Sequence, residues 1–377
     1  MSLQLYGFSL RPIQSDVVSI PSLILLITSF MILSRFLHRP VRAIRLAHKR
    51  LQCLISPVDC GLDVINAFEQ FIAKAPSRCR HGHPVSAKTI QHYRHALSYL
   101  RAFVTEKGYT TLPFARLDRD FYEQYVAFAY RKHLRLNTIG NHIKILKALI
   151  RSQPQDIQDL AWEFMRCEGL REETDAVVLT ETELHWMAGF PLPSQLLCRV
   201  RDLYIIMCWT GVRYSDLAQL TRDNIITDGK GDSYFSFRAA KTGRKSLVRI
   251  LPEADAVLQR YDEGRSLPRV PSNTRFNRRL DQMLQLMAAT PQLASLNDPI
   301  TRTYTALRPD GTVGYVRETL PRWKLTRCHT ARRTFATNMR LRGNDRDVIC
   351  AATGHRTEAA LSRYIKDTLL DRASRLH

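Results

Sequence analysis

Apolar positions from Leu62 onward recur at three- and four-residue steps, the period of an amphipathic helix. Leu62, Ile65, Phe68 and Ile72 share one face, then Ile90, Tyr93, Leu97, Leu100 and Val104 share another, with Ser86 placed as an N-cap. The pattern predicts a third helix over 118–131 and a fourth from Asn137, whose apolar stripe is Ile139, Ile143, Leu146 and Ile150. Four such helices make a small bundle. His142, Lys144, Lys147 and Arg151 fall on the other stripes of the fourth helix, either as an ordinary solvated face or as cations tracking a phosphate backbone.

An acidic stretch at 168–175 interrupts this pattern, and Thr180 with Glu183 gives the capping-box signature of a new helix. Helical spacing continues to Met207 and turns at Thr210 and Gly211. Two short β-rich runs, 234–237 and 247–251, then flank a Lys-Thr-Gly-Arg-Lys turn. An arginine-rich helix is expected near 275–286, a second hairpin over 301–307 and 312–316 around Arg-Pro-Asp-Gly, and helix again to the end. The fold class expected is mainly α with small β-hairpins (α+β). Its divisions are an N-terminal extension 1–60, a helical domain 61–167, a linker 168–179 and a second domain 180–377.

Residues 17–33 are seventeen positions without a charge, followed by Arg35, Arg39, Arg42, Arg45, Lys49 and Arg50 with no acid among them. A bilayer needs about 20 apolar residues. Pro21 interrupts the run and no small-residue cleavage site follows, so a packed helix or an over-extended start, with Met31 as an internal candidate start, is favoured over a membrane segment.

The 377 residues exceed what one core usually organises, which agrees with two domains. Charge changes the picture more: 56 Lys and Arg against 35 Asp and Glu leave +21, a field that attracts polyanions, nucleic acid first. Eight cysteines without a C-x-x-C pair suggest neither a disulfide framework nor a cysteine-rich zinc site, and fit a reducing cytoplasm. Cys79, His81 and His83 lack further metal ligands, so their stretch is expected to be a polar basic loop. No metal site is expected.

Motifs for nucleotide hydrolysis, dinucleotide binding and zinc proteolysis are absent. What stands out are polar residues inside apolar segments: T-G-V-R-Y-S-D-L at 210–217, A-K-T-G-R at 240–244, C-H-T-A-R-R-T-F-A-T at 328–337 and A-T-G-H-R-T-E-A-A-L-S-R-Y-I at 352–365. On a helix His329 and Arg332, three apart, meet one ligand, whereas Arg333 is expected to lie off that face.

An Arg after a Thr-Gly turn, a Lys in a β-turn, His-x-x-Arg opening a helix, Gly-His, and a Tyr nine residues beyond that His occur here in order. This arrangement resembles the tyrosine recombinase, or phage integrase, family over residues 62–370, and is closest to integrases of conjugative and mobilisable transposons. The resemblance implies a core-binding bundle and a catalytic domain forming a C-shaped clamp, with an arm-binding segment as a further reading of 1–60. It implies that Arg213 and Arg332 hold the scissile phosphate, that Tyr364 is the nucleophile, and that Lys241 is the general acid, with Lys245 its rival in register. His329 would take the tyrosine proton and His355 would donate a hydrogen bond to the phosphate. Asp216 is a brace behind Arg213, and Lys144, Lys147, Arg151, Arg244 and Lys245 are DNA-binding candidates.

The chemistry supports these roles independently: Arg presents permanently charged bidentate donors to phosphoryl oxygens, and a phenol attacks well only where cations ease its ionisation. The implied function is site-specific recombination of duplex DNA through a 3′-phosphotyrosyl intermediate, in integration or excision of a mobile element, with no cofactor. Expected partners are double-stranded DNA carrying recombination sites, three further copies in a homo-tetramer docked through 365–377, and accessory DNA-bending or excision factors; a membrane is not expected. The alternatives are a type IB topoisomerase-like DNA-relaxing enzyme and a non-catalytic DNA-binding protein derived from a recombinase.

Overall fold

A computed structural model describes residues 47–49, 51, 63–80, 82–173, 176–241, 243, 245–261, 267–355 and 357–366. The uncharged run 17–33, all of the basic stretch 35–50 except 47–49, Arg244 and residues 367–377 lie outside them. No helix of the described residues is long and apolar enough to cross a membrane. Two compact units divide the chain, one ending at Glu172 and taking in Thr305–Gly314, the other formed by Glu173–Tyr304 and Tyr315–His377.

In the first unit, helices α1 (Val64–Ala73), α2 (Ala87–Glu106), α3 (Arg119–Arg131) and α4 (Leu136–Arg151) follow the periodicity expected, and short α5 (Gln155–Leu160) and α6 (Trp162–Arg166) close it. Ser86 and Asp118 accept hydrogen bonds from Thr89 N and Phe121 N, so side chains satisfy donors that α2 and α3 leave orphaned. Phe103 is fully buried and meets Phe121, Tyr125 and Phe128 edge-on. Where a loop was expected at 77–84, β1 (Cys79–Arg80) pairs with β2 (His83–Pro84).

His142 departs from the solvated stripe: it is 1% exposed and joins three helices. Burial pushes the Tyr125 phenol up, so it stays protonated, and its hydroxyl pairs with His142 Nδ1 at 3.0 Å. Burial keeps the ring neutral, and its Nε2 pairs with His95 Nδ1, also at 3.0 Å. Imidazole is apolar enough for a core when both nitrogens are paired.

The second unit opens with α7 (Glu181–Gly189), where Thr180 and Glu183 form the capping box. Its centre is α8 (Gln195–Thr210), buried on every side from Val200 to Thr210. A helix buried all round has to be wrapped, and α10 (Pro252–Leu258), α11 (Asn273–Ala288) and α13 (Cys328–Leu341) pack against it. One-turn α9 (Tyr214–Leu217) follows α8. Strands β3 (Ile225–Thr227), β4 (Ser233–Arg238) and β5 (Lys245–Arg249) form an antiparallel sheet in that order, burying Phe235 opposite Val248. β6 (Pro299–Leu307) and β7 (Val313–Pro321) are the second hairpin, longer than its sequence pattern suggested. After α12 (Arg322–Leu325) and α13 come α14 (Arg346–Thr353) and α15 (Glu358–Ser362).

Candidate active site

The site lies wholly in the second unit. α8 ends at Gly211 in the left-handed conformation, φ +67°, and a Cβ there would meet the Phe335 ring at 2.4 Å, so only glycine fits. The chain turns and presents Arg213, the N-cap residue of α9. α14 ends the same way at Gly354, φ +63°, and presents His355. Two left-handed glycine caps therefore aim two of the expected site residues.

Between these ends lies Arg332, only 2% exposed. Its Nη1 donates to Gly211 O at 2.7 Å and its Nη2 to Thr353 O. Both acceptors are carbonyls at the negative ends of helices, which explains how a guanidinium is tolerated in the interior. Burial and the charge of Arg213 nevertheless push its pKa down to about 9. Its Nε is buried without a partner among the described residues.

Asp216, also 2% exposed, ties two elements together. Its carboxylate lies 3.6 Å from Arg213 Nη1 and accepts a 2.9 Å hydrogen bond from Ala240 N, immediately before Lys241. Lys241 is exposed at the β4–β5 turn. Its charge is among those acting on both His329 and His355.

His329 Nε2 is 3.2 Å from Tyr364 Oη, with the rings edge to face. Partial loss of hydration, then the charges of Arg333, Arg332, Lys241 and Arg213, push His329 down to about 4. The ring remains open to solvent, so an arriving anion reaches it. Arg333 corrects the sequence reading: four residues after His329, it is as much a neighbour on the helix as Arg332 is. It is half-buried, its Nε has no partner, and Tyr364 acts on its charge. The i,i+4 spacing was the available signal.

His355 packs 4.5 Å from the Tyr364 ring, centroid to centroid. The Thr353 hydroxyl donates to Ile349 O at 2.5 Å, so at 2.7 Å it accepts from His355 Nδ1–H. The neutral ring consequently carries a lone pair on Nε2, a buried atom with no partner among the described residues. Donation to a phosphate, as the sequence reading had it, requires a second proton. Burial and the charges of Arg332 and Arg213 resist that proton, holding His355 near 4. Thr353 went unnoticed in the sequence because a hydroxyl at a helix end is ordinary.

Arg213, Lys241, His329, Arg332, His355 and Tyr364 are thus drawn together by short contacts or mutual electrostatic influence. Lys144 and Arg151 are exposed on α4. Lys147 is not free: its ammonium donates to Cys167 O at 2.5 Å. Lys245 is exposed at the start of β5. Among the described residues no group of three or more His, Cys, Asp or Glu side chains is placed to hold a metal ion.

Residues 63–152 match the model of the phage integrase SAM-like domain, and 178–369 that of the phage integrase family. The fold is similar to that of the Tn1549 transposon integrase in complex with circular intermediate DNA, at 16% identity and a TM-score of 0.57, covering 83% of this chain and 98% of that one. XerH site-specific recombinase bound to its difH substrate is similar at 14% identity and a TM-score of 0.54, covering 83% and 84%. A lambda integrase tetramer bound to a Holliday junction gives 14%, 0.52, and coverage of 81% and 78%. Among curated proteins, none matches the sequence. The chain belongs to the phage integrase family of tyrosine recombinases. Its function is that of a site-specific recombinase.

Proposed function

We propose that the chain breaks and rejoins duplex DNA by transesterification at Tyr364, in the integration or excision of a mobile element. The observation that carries this reading is the 3.2 Å contact between Tyr364 Oη and His329 Nε2 among fixed cations. In the forward step the phenol oxygen attacks phosphorus and the bond to the 5′ oxygen breaks. The phenol proton passes to His329 Nε2, while Lys241 delivers a proton to the departing 5′ oxygen. Arg213 and Arg332 offset charge gathering on the non-bridging oxygens, and the unpartnered Nε of Arg332 and of Arg333 are donors in reserve. The 3′-phosphotyrosyl link keeps the phosphodiester energy, so resealing is the same step reversed, and no nucleotide cofactor enters.

A phosphate also changes the titration of its hosts. Its negative charge opposes the cations that keep His355 neutral, which shifts His355 upward, towards the protonated form that can donate. By analogy with the transposon integrase and the lambda tetramer, the partner is duplex DNA carrying a recombination site, and four copies assemble on a paired substrate.

Tyr364→Phe offers the direct test. Incubated with a nicked suicide substrate carrying the cognate site, the wild-type protein is expected to form a covalent adduct that denaturing gels retain, and Tyr364→Phe none. An adduct surviving in Tyr364→Phe would move the nucleophile elsewhere.

A further inference from the structure

The segment carrying Tyr364 is held by more than the short helix that precedes it. Leu361 and Ile365, on either side of the tyrosine, are 0% and 6% exposed and belong to the core of the unit. Between these apolar anchors the backbone polar groups need partners. The amides of Tyr364 and Ile365 donate to Leu361 O, and Thr337, 2% exposed and two turns along α13 from His329, partners Tyr364 O and the next amide, Lys366 N. Its hydroxyl accepts from Lys366 N at 3.0 Å and donates to Tyr364 O at 3.4 Å. A buried threonine inside a helix commonly turns its hydroxyl back to the carbonyl four residues earlier. Thr337 instead reaches out of its helix to both sides of one peptide segment.

We propose that Thr337 is a positioning residue: its hydroxyl fixes the Tyr364 backbone to the helix that bears His329, setting the distance between phenol and imidazole. The proposal deepens the recombinase reading and rests on it for its catalytic part. Helix α13 then carries the proton acceptor on its first turn and the anchor of the nucleophile two turns later. A misplacement of about 1 Å at a reacting atom costs on the order of 100-fold in rate, so one buried hydroxyl suffices to matter.

Thr337→Val keeps the shape and removes both hydrogen bonds; Thr337→Ser restores them. Three measurements on the full chain separate the outcomes. Amide exchange of Lys366 is expected to speed up at least tenfold in Thr337→Val and to return in Thr337→Ser, with the rest of α13 unchanged. Adduct formation on the suicide substrate at saturating DNA is expected to fall at least tenfold in Thr337→Val, with DNA affinity within twofold of wild type. The defect is expected to persist on a 5′-phosphorothiolate substrate, whose leaving group needs no acid, because the fault lies with the nucleophile. Unchanged exchange at Lys366 overturns the anchor, and faster exchange with an unchanged saturating rate overturns the positioning role. Absence of any adduct from the wild-type protein defeats the recombinase reading, and with it the positioning role, while exchange still decides the anchor.

Discussion

A histidine that must accept a proton from a phenol is useful only while it is unprotonated. His329 meets that condition because partial dehydration and four surrounding cations hold it near 4. The rate at subsaturating DNA reports the free protein's titration. With a depressed pKa the neutral form persists as pH falls through the ordinary histidine range and disappears only on approach to 4. The acid limb of kcat/KM is therefore expected below pH 5.5; a limb centred at 6.5 would show that the cations do not govern this ring. In the proposed mechanism the opposite sign applies to His355, which would have to gain a proton in order to donate to a bound phosphate.

Two helix ends position the chemistry. At the C-terminus of α8, Gly211 provides the left-handed turn, the carbonyl that Arg332 grips, and the space that Phe335 fills. Gly211→Ala adds backbone strain of about 1–2 kcal/mol and overpacking of about 1–3 kcal/mol. It is expected to lower the thermal midpoint by several degrees and the cleavage rate at saturating DNA at least tenfold, because Arg213 moves with the turn. Ordinary stability with full activity would mean that Phe335 yields without consequence. Elements of this kind were legible in the sequence because their causes are local. Ser86, Asp118 and the Thr180–Glu183 box are capping residues whose partners lie three positions away. β3 was not legible, since three residues on a sheet edge carry too short an alternation to register. His142 was misplaced because the same imidazole suits a wet surface and a paired core, and only the distant Tyr125 and His95 decide between them. Arg333 was misplaced for a different reason: a neighbour four residues along was counted as lying off the face that His329 shares with Arg332.

Across the whole molecule, a net charge of +21 needs a counterpart, and a duplex with its counterion atmosphere supplies one. Exposed Lys144 and Arg151 lie on α4, while Lys147 is occupied by Cys167 O. Each of Lys144→Ala and Arg151→Ala is expected to shorten the slope of log affinity against log salt by roughly 1. Lys147→Ala should leave that slope unchanged; equal effects at all three positions would mean that Lys147 leaves its carbonyl on binding DNA. The interior guanidinium has a different bearing on descent. Arg332 ties the ends of α8 and α14, so a copy of this gene that no longer recombined anything would still be selected to keep it as long as its product had to stay folded. An intact arginine at that position therefore says little about whether a homologue is still active. The informative letter is the tyrosine, whose hydroxyl among the described residues bonds His329 alone and can be lost without loosening the frame.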